Sequence, residues 1–367
     1  MQLSWTFSRY LGRQFLSGMA IVMGGCMFLI FMVDTVELLR RSASKPDVGL
    51  NLVFTMALLK LPNVSETALP FAVLFGAIWT FVRLTRSNEL VIARASGVSV
   101  WQFIAPALAI ALIGGTILVT VYNPIASTMV ARYEQLESRY LRGYTSLLAV
   151  KSTGFWLRQG SGNNQSIIHA ETVAHVSDET LSLENVLVFQ YKNQDDYVSR
   201  IDAQSADLHN GYWLLKGAVR SLSGAAPEPL GEYKLPTEMD PDQIRESFAS
   251  PETLSFWDLP RFISITEAAG FSALPHRLHW QTLLATPLLL AAMVLIAATF
   301  SLRITRLGGV PQLAAAGIMT GFLLYFLADV SGALGISGII PVALAAWAPT
   351  LIATFLGTAM LFHLEDG

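Results

Sequence analysis

Ionisable side chains are scarce in this chain, so where they gather they point to chemistry. The sharpest gathering is Arg83-Leu-Thr-Arg86-Ser-Asn-Glu89-Leu90-Val-Ile-Ala-Arg94-Ala-Ser-Gly97. Its pattern predicts a short amphipathic helix over about residues 87–97. Ser87 or Asn88 can cap its start, Glu89 stands where the positive end of the helix dipole favours an acid, and Gly97 can end it in the left-handed conformation. Two readings stay open on periodicity alone. The segment either lies passively at a membrane interface, or it docks into a cytoplasmic ATPase with Glu89 paired to a basic residue there.

A second set of cations follows the apolar stretches: Arg40 and Arg41, then Lys60, then Arg132, Arg139 and Arg142. Such groups can meet the phosphates of an anionic lipid headgroup in charge-assisted contacts. They can equally be interfacial anchors that snorkel toward water. Enzymatic chemistry has little support. No Gly-x-x-x-x-Gly-Lys-Ser/Thr loop occurs, so nucleotide is not bound by that route. Neither His169…His175 nor His276…His279 has the His-Glu-x-x-His zinc spacing, and there is no Gly-x-Ser-x-Gly elbow. The single cysteine, Cys26, excludes an intrachain disulfide and a cysteine-based metal site. We therefore expect no catalytic residue, metal or cofactor on this chain. Ionisable residues are nearly absent from the apolar stretches, unlike in a proton- or sodium-driven transporter. Energy for any movement must then come from another subunit.

The elements that position these groups follow from composition. Of 367 residues, 53% are hydrophobic and 14% charged, against about 25% charged in soluble domains. Six stretches have the roughly 20 apolar residues needed to cross a bilayer: about 14–33, 67–82, 101–122, 280–302, 309–328 and 341–362. The second is the weakest, with Pro70 near its start, where proline is tolerated. The first is too long for a cleaved signal and lacks a small-residue cleavage site, so it is expected to remain as an anchor. With the N-terminus inside, cytoplasmic loops hold seven Lys and Arg (Arg9, Arg13, Arg83, Arg86, Arg94, Arg303, Arg306) against four outside (Arg40, Arg41, Lys45, Lys60). That bias puts both termini in the cytoplasm. Between Arg132 and Arg277 the composition is that of a soluble domain. A helical pattern runs to Tyr140, then strand-like runs occur at 154–158, 166–170, 183–191, 198–203 and 212–219. A Pro-containing linker (236–251) and a short helix near 259–269 lead back to the membrane. The expected fold is a membrane α-helical protein of six transmembrane helices, 3 + 3, with an inserted periplasmic β-jelly-roll-like domain. Its parts are 1–122 with the short helix about 87–97, then 123–277, then 278–367.

Several segments also resemble the LptF/LptG family of lipopolysaccharide export permeases, and within it the LptG branch. They are Arg9-Tyr-Leu-Gly12, Phe31-Met-Val-Asp34 followed by Arg40-Arg41, Leu69-Pro-Phe-Ala-Val-Leu-Phe-Gly76, Ser87 through Gly97, Gly154-Phe-Trp-Leu-Arg158 and Gly335-Ile-Ser-Gly-Ile-Ile-Pro341. The resemblance covers essentially the whole chain. It implies an inner-membrane heterodimer with an LptF-like chain, an LptB ATPase dimer beneath that binds ATP and Mg, and LptC and periplasmic LptA beyond, with lipopolysaccharide as substrate and no nucleic acid. On that resemblance Arg86, Glu89, Leu90 and Arg94 face the ATPase, and Arg40, Arg41, Lys60, Arg132 and Arg139 face the lipid phosphates. One departure is Phe31, where the family pattern leads us to expect a basic residue. A lipoprotein-release permease and an intramembrane lipid-modifying enzyme are the alternatives; the second would need a convergent polar constellation, and the sequence shows none.

Overall fold

The computed structural model describes residues 5–43, 45, 48–142, 155–159, 164–176, 181–192, 196–209, 211–222, 226–237, 250–268, 272–304 and 310–365. Among them, six helical stretches are long and apolar enough to cross a membrane. Helix α1 spans Trp5–Ser42 and α2 spans Leu50–Arg86. A short α3 (Glu89–Ala95) leads to α4 (Val100–Ile117). A π-helical turn, Leu118–Tyr122, joins α4 to α5 (Asn123–Glu137), so the third span continues as a helix to the vicinity of Tyr140, as expected. After the sheet come α6 (Leu259–Ala268), α7 (Leu274–Ile304), α8 (Val310–Ile336) and α9 (Val342–Glu365).

The second span differs from expectation. It begins at Leu50, and Pro62 and Pro70 both lie inside it. Lys60, Glu66 and the prolines interrupt the apolar run in the sequence, but not the helix. At about 1.5 Å per residue, 37 residues reach well past a core of roughly 30 Å, so its first turns need no apolar surface. Pro62 and Pro70 each remove one i→i−4 bond, a loss that a long helix tolerates where neighbouring groups re-satisfy the freed backbone. Helices α1, α2, α4 and α7 share one buried cluster that includes Phe15, Leu74, Phe81, Ile104 and Leu290. Helices α1 and α2 touch backbone to backbone: a Cβ on Gly76 would stand 2.6 Å from Met19 Cα, so only glycine fits.

The chain divides into two compact units. One takes Met1–Ala131, Pro251–Pro260 and Leu274–Gly367, the other Arg132–Ser250 and Arg261–Ala273. The second holds an antiparallel sheet of six strands paired in chain order: β1 Phe155–Gln159, β2 Asn164–Val176, β3 Leu181–Lys192, β4 Asp196–His209, β5 Tyr212–Leu222 and β6 Glu228–Pro236. Cross-strand rows such as Leu157, Ile168, Val188 and Ile201 put apolar side chains on one face. These are almost fully buried, as are Leu183, Leu208, Trp213 and Leu215. A lone sheet buries a face only if something covers it, and here the sheet curls on itself. Gln159 of β1 donates Nε2–H to Pro236 O at the end of β6 (3.2 Å) and accepts from Trp213 Nε1 (3.2 Å) and Thr237 Oγ1 (2.7 Å). The strand order is thus a meander, and the roll comes from the meeting of its two edges. Strand β6 was not expected: Pro229, Gly231 and Pro236 read as turn residues, yet an edge strand tolerates them.

Candidate functional site

The segment between the second and third spans folds as a compact turn-helix unit. Ser87 N donates to Arg83 O (3.0 Å), and Asn88 takes a left-handed backbone (φ 61°) that redirects the chain. Asn88 O then accepts the first bond of α3 from Ile92 N (3.0 Å). At the other end Gly97 is left-handed (φ 85°), and Val98 N closes back on Ala93 O (3.1 Å), satisfying carbonyls that the helix leaves open. Ser99 then starts α4 with a capping box to Gln102. The Glu89 carboxylate is held through one oxygen: Oε1 accepts from Ser87 Oγ (2.9 Å) and from Tyr10 Oη (3.3 Å).

The four residues assigned to a partner contact do not share one role. Arg86 is exposed and Glu89 half-buried. Arg94 lies on α3, but its side chain is outside the described residues. Leu90 departs from expectation: it is 4% exposed and joins the helical core with Leu11, Leu84, Val100 and Phe103. A seven-residue helix presents only one apolar stripe, and Leu90 and Ala93 use it to seat α3 on the spans. The outward apolar residue is Ile92, 67% exposed, which the sequence reading passed over.

The cations at the other ends of α1 and α2 are already partnered. Glu37 Oε2 lies 2.9 Å from Arg40 Nη2, and Glu37 Oε1 lies 2.8 Å from Arg41 Nε. These exposed pairs within one helix are weak and easily exchanged. Lys60 is different. Its ammonium meets Asp34 Oδ1 at 2.8 Å, with Asp34 mostly buried, and ties α2 to α1. It lies inside a helix rather than in a loop, so its first role is to join two helices. Arg132 and Arg139 are exposed and belong to the other compact unit, where the Arg139 guanidinium lies 5.5 Å from the centre of the Tyr140 ring.

The model of the lipopolysaccharide export system permease LptF/LptG matches residues 9–363. The chain belongs to this family. It is 24% identical over 356 residues to the lipopolysaccharide export system permease protein LptG of Haemophilus influenzae, with 95% of each chain covered. It is 22% identical over 376 residues to LptG of Escherichia coli K12, covering all of this chain and 98% of that one. Within the LptF/LptG family the chain is accordingly most like LptG.

One polar joint of this LptF/LptG-family chain escaped the sequence reading. Asn123, 2% exposed, donates Nδ2–H toward both Glu66 oxygens (3.2 and 3.3 Å) and accepts from Phe256 N (2.8 Å). Beside it Ser65 Oγ and Tyr122 Oη share a 2.6 Å hydrogen bond, and Trp257 Nε1 donates to Thr120 O (3.0 Å). The joint thus links α2, the π-helical turn and the segment that leads into α6. Its only sequence signals were an acid at the edge of a charge-free run and the Asn123-Pro124 pair, and neither names a partner. Among the described residues no cluster of three or more His, Cys, Asp or Glu could hold a metal.

Proposed function

We propose that this chain is the LptG-type permease subunit of an ATP-driven lipopolysaccharide exporter in the inner membrane. The carrying observation is a family match over nearly the whole chain, and the capped, outward-facing α3 between the second and third spans supports an ATPase contact. On this reading an LptF-like chain completes a heterodimer, and an LptB dimer, which holds ATP and Mg, docks against α3 through Arg86, Glu89 and Arg94. LptC and LptA carry the lipid onward. The chain itself binds no cofactor and catalyses no reaction. The charge bias supports cytoplasmic termini and a periplasmic sheet.

The physical task is to take a multi-acyl lipid out of the bilayer, which exposes apolar area at roughly 25 cal/mol per Å². Apolar walls replace the lost lipid contacts, and α1 and α8 present such surfaces: Phe28, Leu29, Met32 and Val33 on one, Phe322, Leu323 and Phe326 on the other are all at least half exposed. Arg40, Arg41, Arg132 and Arg139 are assigned to the headgroup phosphates, with Lys60 contributing from its pair with Asp34. Purification of the tagged chain in mild detergent tests the assembly. Recovery of an ATPase and a second six-span chain, with the ATPase held more weakly by Glu89→Ala, is the expected result. A chain that purifies alone, with lipid-modifying activity of its own, would overturn the reading.

A further inference from the structure

We infer that Tyr10 is a positioning residue for the coupling segment: its phenol orients the Glu89 carboxylate and ties α1 to the ATPase contact. The inference rests on the coupling reading of α3 and adds a residue to it. Glu89 has two carboxylate oxygens, and both bonds it receives go to Oε1, from Ser87 and from Tyr10. Oε2 accepts nothing among the described residues and stays open to a basic partner group. A glutamate on a short exposed helix would otherwise sample several rotamers, and holding one of them lowers the entropy lost on binding.

The two donors differ in what they connect. Ser87 is two residues from Glu89 and only shapes the turn. Tyr10 is 79 residues away, on the first turns of α1. Its neighbour Leu11 belongs to the same buried cluster as Leu90, the residue after Glu89. Phe7, one turn earlier, lies 6.4 Å ring to ring from Phe103 of α4. Apolar seating and the polar tether therefore coincide: Leu11 and Leu90 join the start of α1 and α3 to one core, and Tyr10 and Glu89 meet at its rim. A push on Glu89 by the partner reaches α1, the helix that carries Arg40 and Arg41 at its far end, without passing through the rest of the bundle.

The experiment is a double-mutant cycle on the assembled complex, reading the dissociation constant of the copurifying ATPase for the membrane subunits. Wild type is compared with Tyr10→Phe, Glu89→Ala and the double variant, and Ser87→Ala is run both alone and combined with Tyr10→Phe. We expect Tyr10→Phe to weaken the ATPase about three- to fivefold, the scale of one hydrogen bond. Once Glu89 is replaced by alanine, Tyr10→Phe should have no further effect. Ser87→Ala should weaken binding more when Tyr10→Phe is also present than when it is not. Equal effects of Tyr10→Phe with and without Glu89, or no effect while Glu89→Ala still weakens binding, would overturn the inference and leave the coupling reading standing. No effect of Glu89→Ala itself overturns the coupling reading and this inference with it.

Discussion

At the residue scale, the charged groups divide into those that hold the fold and those left free to act. Lys60 and Asp34 are the clearest of the first kind, because their 2.8 Å contact joins two spanning helices and Asp34 is only 17% exposed. Lys60→Ala strands a largely buried carboxylate and should cost about 1 kcal/mol or more, read as a lower unfolding temperature in detergent. Combining Lys60→Met with Asp34→Leu removes both charges and should recover most of that loss. If lipopolysaccharide binding also returns with the double variant, Lys60 acts through the helix pair; if binding stays lost, it touches the phosphate directly. Asp207 on β4 makes a second case. Burial alone would raise its carboxyl, but hydrogen bonds from Lys216 (2.8 Å) and Ser182 (2.6 Å) outweigh that and hold it below the usual carboxylate range. A carboxyl lowered on folding stabilises the folded state above its unfolded value and ceases to do so as pH falls through the folded one. Hydrogen-exchange protection in β4 and β5, referred to the intrinsic exchange rate at each pH, should therefore fall below about pH 4 more in wild type than in Asp207→Asn. An equal acid response in both would mean that this carboxyl does not carry the effect.

At the element scale, close helix packing in this bundle depends on positions where a side chain has no room. Gly76→Val would place Cβ within 2.7 Å of Met19 N and Cα, forcing α1 off α2. A loss of about 1–3 kcal/mol or more is expected, seen as thermal unfolding or protease sensitivity at lower temperature. Gly24→Ala, on the same α1 but with nothing within 4 Å of the added carbon, should be neutral or slightly stabilising; equal damage from both would show that α1 and α2 are not in this contact. These elements were legible in the sequence to different degrees. Six spans and five strands follow from runs of apolar or alternating residues, since both signals are local. The start of α2 was not legible, because a helix that leaves the bilayer keeps its hydrogen bonds but not its apolar pattern. Nor was β6, whose prolines and glycine are compatible with a strand only at an edge. The site shows the same division. The end of α3 follows from Gly97 as a residue type, whereas the Ser87 hydroxyl bonding to Glu89, the burial of Leu90 and the reach of Tyr10 to Glu89 depend on the folded turn and on how α1 packs, 79 residues away.

At the scale of the whole molecule, function turns on orientation: an ATPase can meet α3 only if α3 and the sheet lie on opposite sides of the membrane. Helix parity supports this, because α3 follows two spans and the sheet follows three. The seven-to-four excess of Lys and Arg on the α3 side is the support for the proposal that this side is cytoplasmic. The chain offers a simple way to check it, since Cys26 is its only cysteine and lies in the apolar part of α1. In a Cys26→Ala background, single cysteines at exposed positions on the two sides, Ser96→Cys after α3 and Glu232→Cys on β6, should respond oppositely to a membrane-impermeant maleimide. With the inner membrane intact and the outer one permeabilised, Glu232→Cys should label and Ser96→Cys should not; lysis should expose both. The reverse pattern would put α3 outside, beyond reach of a cytoplasmic ATPase. Labelling of both before lysis would mean that the third span does not separate them. In either case Glu89 would lose its partner, and the side of the membrane assigned to the basic residues at the far end of α1 would have to be redrawn, so this measurement bears on every functional assignment at once.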